Sequence, residues 1–150
     1  MPYLLRTIDN PSQRNDLFHR VAQLDPAQRP RWGRLTAPRM LVHLCDQMRM
    51  PFNDKPTRFP GLARYPIVKQ ILLYVLPWPR GIQGPPEAFR TQPGNWSNDM
   101  AMLKELVDEF VITPSTQRCS EHPILGRLSR RDWGVFCYRH FDHHFRQFGV

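Results

Sequence analysis

Residues 128–150 read LSRRDWGVFCYRHFDHHFRQFGV, and the rest of the chain is organised around them. Ser129 followed three residues later by Asp132, just ahead of an apolar run, is a helix start of the capping-box kind, and Gly149 stands where a helix C-cap glycine stands. At about 100° per residue from Trp133, residues Cys137, His140, His144 and Phe148 fall within ~60° of one direction, with Phe141 at the edge of that face and Asp142 opposite it. Two histidines therefore sit mid-face on the side that is buried. Being four apart they are neighbours, with Cβ atoms roughly 5–6 Å from each other, a spacing that suits two imidazoles on one metal ion with bonds of about 2.0–2.1 Å. His143 falls near Phe136 on the wheel and away from the pair's centre. It reads as a surface residue or one that backs the ligands, with direct ligation the lesser alternative.

Working back from this helix, Ser97 offers an N-cap for a helix over residues 98–111. Met100 or Ala101, Leu103, Val107, Phe110 and Val111 form its buried face, Lys104, Glu105, Asp108 and Glu109 its wet one, and Thr113-Pro114 its end. Thr36 caps another helix and tolerates Pro38 in its first turn; its apolar stripe is Met40, Leu41, Leu44, Cys45 and Met48. His43 lies at the flank of that stripe, beside Met40 and Gln47, where it can face a cavity between helices or remain a hydrogen-bonded surface residue. Asp46 points elsewhere, placed to orient a neighbouring group rather than to bind a metal. The first helix is expected from a Ser12 cap to about Leu24, with His19 at or near the surface. Between them, residues 51–96 carry PFNDKP, RFPG, LPWPRG, QGPP and QPGNW, an ordered excursion that keeps many aromatics. Within it residues 67–76 are apolar almost all round, so that short helix is expected to be buried, to cover a pocket or to meet a second copy of the chain. No strand-like alternation or repeat appears. The expectation is an all-α single domain over 1–150, a four-helix bundle variant with a long Pro-rich crossover between helices 2 and 3.

Composition narrows the function classes. The 150 residues can bury about two-thirds of their unfolded surface, and 41% hydrophobic with 11% aromatic residues is a globular composition. Sixteen prolines demand long loops. The net charge of +8 invites a nucleic-acid partner, yet the eighteen Arg and three Lys are spread from Arg6 to Arg146 with no run longer than Arg130-Arg131. A solvated basic surface is the better reading, so no nucleic acid is expected. Cys45, Cys119 and Cys137 make no C-x-x-C pair and leave an odd count, which points to a reducing compartment. MPYLLRTIDNP has no basic n-region followed by a long apolar stretch, and the longest apolar run, beginning at Ile71, falls far short of the ~20 residues of a membrane span. A soluble, cytoplasmic protein is expected.

The strongest constellation joins His43 to His140 and His144. Three neutral imidazoles leave a divalent ion open positions for water and substrate. Competing schemes fail: no Glu-x-x-His exists for a di-iron bundle, and neither H-E-x-x-H, G-x-S-x-G nor a phosphate loop occurs. Cys45 and Cys137 fall on apolar faces and read as inert packing residues. His122 reads first as a loop-shaping residue and Tyr138 as a packing one, with polar roles near a pocket as weaker alternatives.

RWGRLTAPRMLVHLCDQM, HPILGRLSRRDWG and YRHFDHHFRQFG together resemble an uncharacterised bacterial family of the DinB/YfiT-like metalloenzyme superfamily, whose fold is a four-helix bundle. The motifs cover about a third of the chain. The resemblance implies a divalent ion, nickel or zinc, bound by one histidine of the second helix and an H-x-x-x-H pair of the fourth, positions that match His43, His140 and His144. It also implies a metal-dependent transferase or hydrolase acting on a small molecule, with transfer of a low-molecular-weight thiol or activation of water as the reaction; such reactions belong to other branches and transfer by analogy of fold. The alternative is a non-catalytic, stress-related or dimer-forming bundle whose metal site is structural or vestigial. The Pro-rich crossover departs from the superfamily pattern and stands to roof or fill the metal cleft.

Overall fold

A side chain that takes up an orphaned amide sets the start of each long helix. A computed structural model describes residues 6–150; the N-terminal stretch read for a leader lies partly outside them. Helix α1 is Pro11–Ala22, capped by Asn10, whose side chain accepts from the Gln13 amide. Ser12 is therefore inside the helix rather than its cap, because Pro11 at N1 needs no amide partner and presets its own φ. Helix α2 is Ala37–Arg49, with Thr36 accepting from the Arg39 amide as expected. After the nine-residue α3, Pro66–Tyr74, α4 spans Trp96–Ile112 from an Asn95 cap, one turn-start earlier than Ser97 would place it. Helix α5, Arg130–Phe148, has the full Ser129–Asp132 capping box and ends on Gly149 at φ 80°. Among the described residues there are five α-helices, three short 3-10 turns and no strand. Among the described residues no helix is long and apolar enough to cross a membrane.

Helix α2 is central: ten of its thirteen residues are buried, and it packs on α4, α5 and the 3-10 turn Pro86–Phe89. That last contact decides between the two readings of His43 at its flank position. The crossover returns over the flank, and His43 is only 4% exposed. Helix α5 supplies Trp133, Phe141, Phe145 and Phe148 to the core, each worth roughly 1.5–3 kcal/mol on full burial. From α4, Leu103, Val107 and Phe110 are fully buried as expected.

The crossover is pinned by buried charge. Arg139 of α5 donates to the carbonyls of Leu72 at 2.6 Å and Leu73 at 2.7 Å, and to that of Leu76 at 2.5 Å, so a guanidinium caps the orphaned C-terminal carbonyls of α3. Its return is held by Asp46, which accepts from the Thr91 amide at 2.7 Å and hydroxyl at 2.5 Å. Asp46 thus orients a neighbour, as its wheel position suggested. Helix α3 is not buried all round: Leu73 is, but Ile67 is 76% exposed.

Candidate metal centre

The second helix and the last bring three imidazoles to one point. His43 Nε2 lies 3.0 Å from His140 Nε2 and 3.1 Å from His144 Nε2, and the latter two are 3.0 Å apart. The i, i+4 spacing on α5 aligns His140 with His144, while the burial of α2 fixes His43 opposite. Three nitrogens held 2.0–2.1 Å from one ion stand about 2.9 Å apart at right angles and about 3.4 Å apart at tetrahedral angles. The observed triangle falls in that range, and these three residues could hold a metal ion.

Proton placement sharpens the point. His43 Nδ1 is 2.7 Å from the Ala88 carbonyl. A carbonyl only accepts, so His43 carries its proton on Nδ1 and leaves Nε2 a bare lone pair. His144 Nδ1 is 2.8 Å from Gln147 Oε1, and the amide of Gln147 is oriented by its Nε2 donating to the Trp32 carbonyl at 2.9 Å. His144 therefore also donates from Nδ1 and presents a bare Nε2. Two lone pairs face each other across 3.1 Å with no proton to share. His140 can place a proton at only one of its nitrogens, and its buried Nδ1 has no hydrogen-bond partner among the described residues. A proton on His140 Nε2 can be given to one of the two at 3.0 Å, but the His43–His144 contact itself stays without one, whereas a cation at the centre satisfies all three nitrogens.

All three rings are neutral at pH 7, the form that ligates. Desolvation pulls His144 down to about 3, helped by the nearby His43 and opposed by the Gln147 hydrogen bond. It pushes His140 well below the ordinary imidazole value, with His144 and His43 adding to the effect. His43 is lowered by desolvation too, against the Ala88 hydrogen bond and Asp46.

The crossover closes round the triangle. Phe89 stacks on His43 at 4.5 Å and 16°, and Trp78, anchored by donating from Nε1 to the Leu72 carbonyl at 3.0 Å, lies 5.9 Å from His140. Phe136 meets His140 edge-on at 5.5 Å. The Pro-rich segment thus contributes both a hydrogen-bond partner and apolar walls.

The remaining candidates fall elsewhere. His143 sits outside the triangle, between Trp32 at 5.9 Å and Trp78 at 6.4 Å. The residue that backs a ligand is Gln147, which the sequence reading passed over although it lies three positions after His144, the spacing of side-chain neighbours. His122 shapes its loop: its Nδ1 accepts from the amides of Ile124 and Leu125, both at 3.1 Å, and its backbone bridges to Gly126. Tyr138 is buried and accepts from Arg6 at 3.0 Å. Cys45 and Cys137 are buried and free, and burial lifts both thiols to about 12, so neither is a nucleophile at neutral pH.

No curated protein and no solved structure matches the chain. The family described as "Protein of unknown function (DUF1569)" matches residues 10–149, nearly the whole length, and the chain belongs to that family.

Proposed function

We propose that His43, His140 and His144 bind one divalent metal ion, nickel or zinc, and that the protein is a metal-dependent enzyme of the DinB/YfiT-like type acting on a small molecule. The observation that carries this reading is the pair of bare Nε2 lone pairs facing each other at 3.1 Å, an arrangement that is costly without a cation. Four long helices, with residues 50–95 as the connection between α2 and α4, support the reading of the fold as a four-helix bundle variant. A divalent ion at such a site supplies a Lewis acid that lowers the pKa of a bound water or thiol.

The chain's own residues do the rest. The Ala88 carbonyl and Gln147 keep the protons of His43 and His144 on Nδ1, which holds each ring at a fixed angle and makes its Nε2 a better donor of electrons. Phe89 and Trp78 exclude water from the flanks. Three imidazoles add no negative charge and would leave a bound divalent ion its electrophilicity.

Metal analysis of protein purified without a histidine tag, followed by zinc and nickel titration, tests the site. Stoichiometric binding that is lost in His140→Ala is expected; no bound metal and no change of affinity in that variant would sink the proposal. A panel of thiol-transfer and hydrolase substrates with the loaded protein tests catalysis. Uniform inactivity there would favour the non-catalytic bundle.

A further inference from the structure

Beside the triangle lies a second arrangement that the metal site does not use. The Arg80 guanidinium is placed over the Trp32 ring, 4.2 Å from its centroid. Its backbone position is set by Pro77 and Pro79 on one side and on the other by Gly81 at φ 79°, a left-handed turn that favours glycine. Trp32 is no loose platform. Its carbonyl accepts from Gln147 Nε2, and the same side-chain amide accepts through Oε1 from His144 Nδ1. The Arg31 amide next to it donates to the Gln147 carbonyl at 2.7 Å. Platform and histidine are therefore held by one residue.

We propose that this rim, Arg80 laid on Trp32 next to His143, binds the carboxylate or phosphate group of a small anionic substrate. A guanidinium held over an indole ring still has N–H groups to offer a carboxylate or phosphate in a bidentate contact. Arg80 has no ion pair among the described residues. The acidic side chain that faces His143, Asp142, is already held by Arg20 at 2.8 Å and Arg146 at 2.7 Å. Around His143 three guanidiniums, Arg146, Arg80 and Arg139, are set against the one carboxylate of Asp142. Trp32 meets His143 at 5.9 Å, His143 meets Trp78 at 6.4 Å, and Trp78 meets His140 at 5.9 Å, so a continuous run of rings joins the Arg80 platform to the histidines. In placing the rest of the substrate at the histidines the inference rests on the metal reading; anion capture by Arg80 does not.

The test uses metal-free protein at constant ionic strength, titrated with acetate, inorganic phosphate and, as a neutral control, acetamide. The Trp32 indole N–H signal, identified with Trp32→Phe, reports binding by NMR. A saturable shift with acetate or phosphate and none with acetamide is expected, weakened at least tenfold in Arg80→Gln and less in Arg80→Lys. The tighter of the two anions identifies the group. Binding within twofold of wild type in Arg80→Gln, an equal response to acetamide, or shifts that never saturate would overturn the proposal. Cobalt titration of the same proteins separates the two readings: Arg80→Gln keeps cobalt affinity, and a wild-type protein that binds anion but no cobalt refutes the metal site while leaving the rim standing.

Discussion

Gln147 is the residue on which the candidate metal centre can be tested most finely, because its two ends do different work. Its Oε1 accepts from His144 Nδ1 at 2.8 Å and its Nε2 donates to the Trp32 carbonyl at 2.9 Å, and the residue is 6% exposed. Replacing it with Leu removes both bonds. The loss of a partner behind a metal-bound imidazole lowers metal affinity about 10–100-fold, or about 1.4–2.7 kcal/mol. The orphaned Trp32 carbonyl and His144 N–H add a folding cost of about 1–3 kcal/mol each when left unpaired. Gln147→Glu separates the two effects. A carboxylate still accepts from His144 Nδ1 but turns an oxygen towards the Trp32 carbonyl, so metal affinity is retained while stability falls. Competition titration with a chromophoric chelator gives the affinities, and urea unfolding of the metal-free proteins gives the stabilities. If Gln147→Leu binds zinc as tightly as wild type, or if Gln147→Glu loses affinity as fully as Gln147→Leu, the proton placement argued for His144 is wrong.

Two further outcomes follow from buried groups. In the folded chain His122 and His144 are both lowered to about 3, against about 6.5 when unfolded. Both states are neutral at pH 7.5, so their contribution is complete there. Below ~6.5 the unfolded chain takes up protons that the folded one refuses, and stability falls by about 1.4 kcal/mol per pH unit for each such histidine until about pH 3. Urea midpoints of metal-free protein should drop steadily from pH 7 to 5, and a flat profile would contradict the burial of these rings. Gly134→Ala should destabilise by about 2–4 kcal/mol despite the better helix propensity of alanine. A Cβ at Gly134 would lie 2.3 Å from Asp9 Oδ2 and 2.7 Å from Thr7 Oγ1. That segment carries the fully buried Ile8 and the carboxylate that Arg130 grips at 2.7 and 3.0 Å. Thermal denaturation showing a Tm equal to or above wild type would refute the close approach.

Local rules were readable wherever they act over a few residues. The α5 capping box, the Gly149 terminus and the Thr36 cap all depend on side chains within one turn of the atoms they satisfy. The two misplaced caps show the limit: Asn10 and Asn95 outcompete the nearby serines Ser12 and Ser97 because the extended backbone that a cap needs falls on the asparagines. The apolar stripe of α4 and the core face of α5 were likewise legible from a period of 3.6 residues. Helix α3 was legible as a short helix but its covering was not, because composition reveals that a segment is apolar but not which neighbours cover it, and Ile67 remains largely exposed.

The sequence by itself determined that this protein is helical, and that His140 and His144 share one face with His43 as their candidate third partner, since helical periodicity acts through bonded neighbours. Only the tertiary structure decided that the three Nε2 atoms meet within 3.1 Å, that a backbone carbonyl of the crossover holds His43, and that Gln147 rather than His143 backs His144. Residue types signal donors and acceptors along the chain, but a carbonyl at Ala88, forty-five residues from His43, carries no side-chain signature. Its role exists only once the crossover folds back over α2 and a buried imidazole has to find an acceptor.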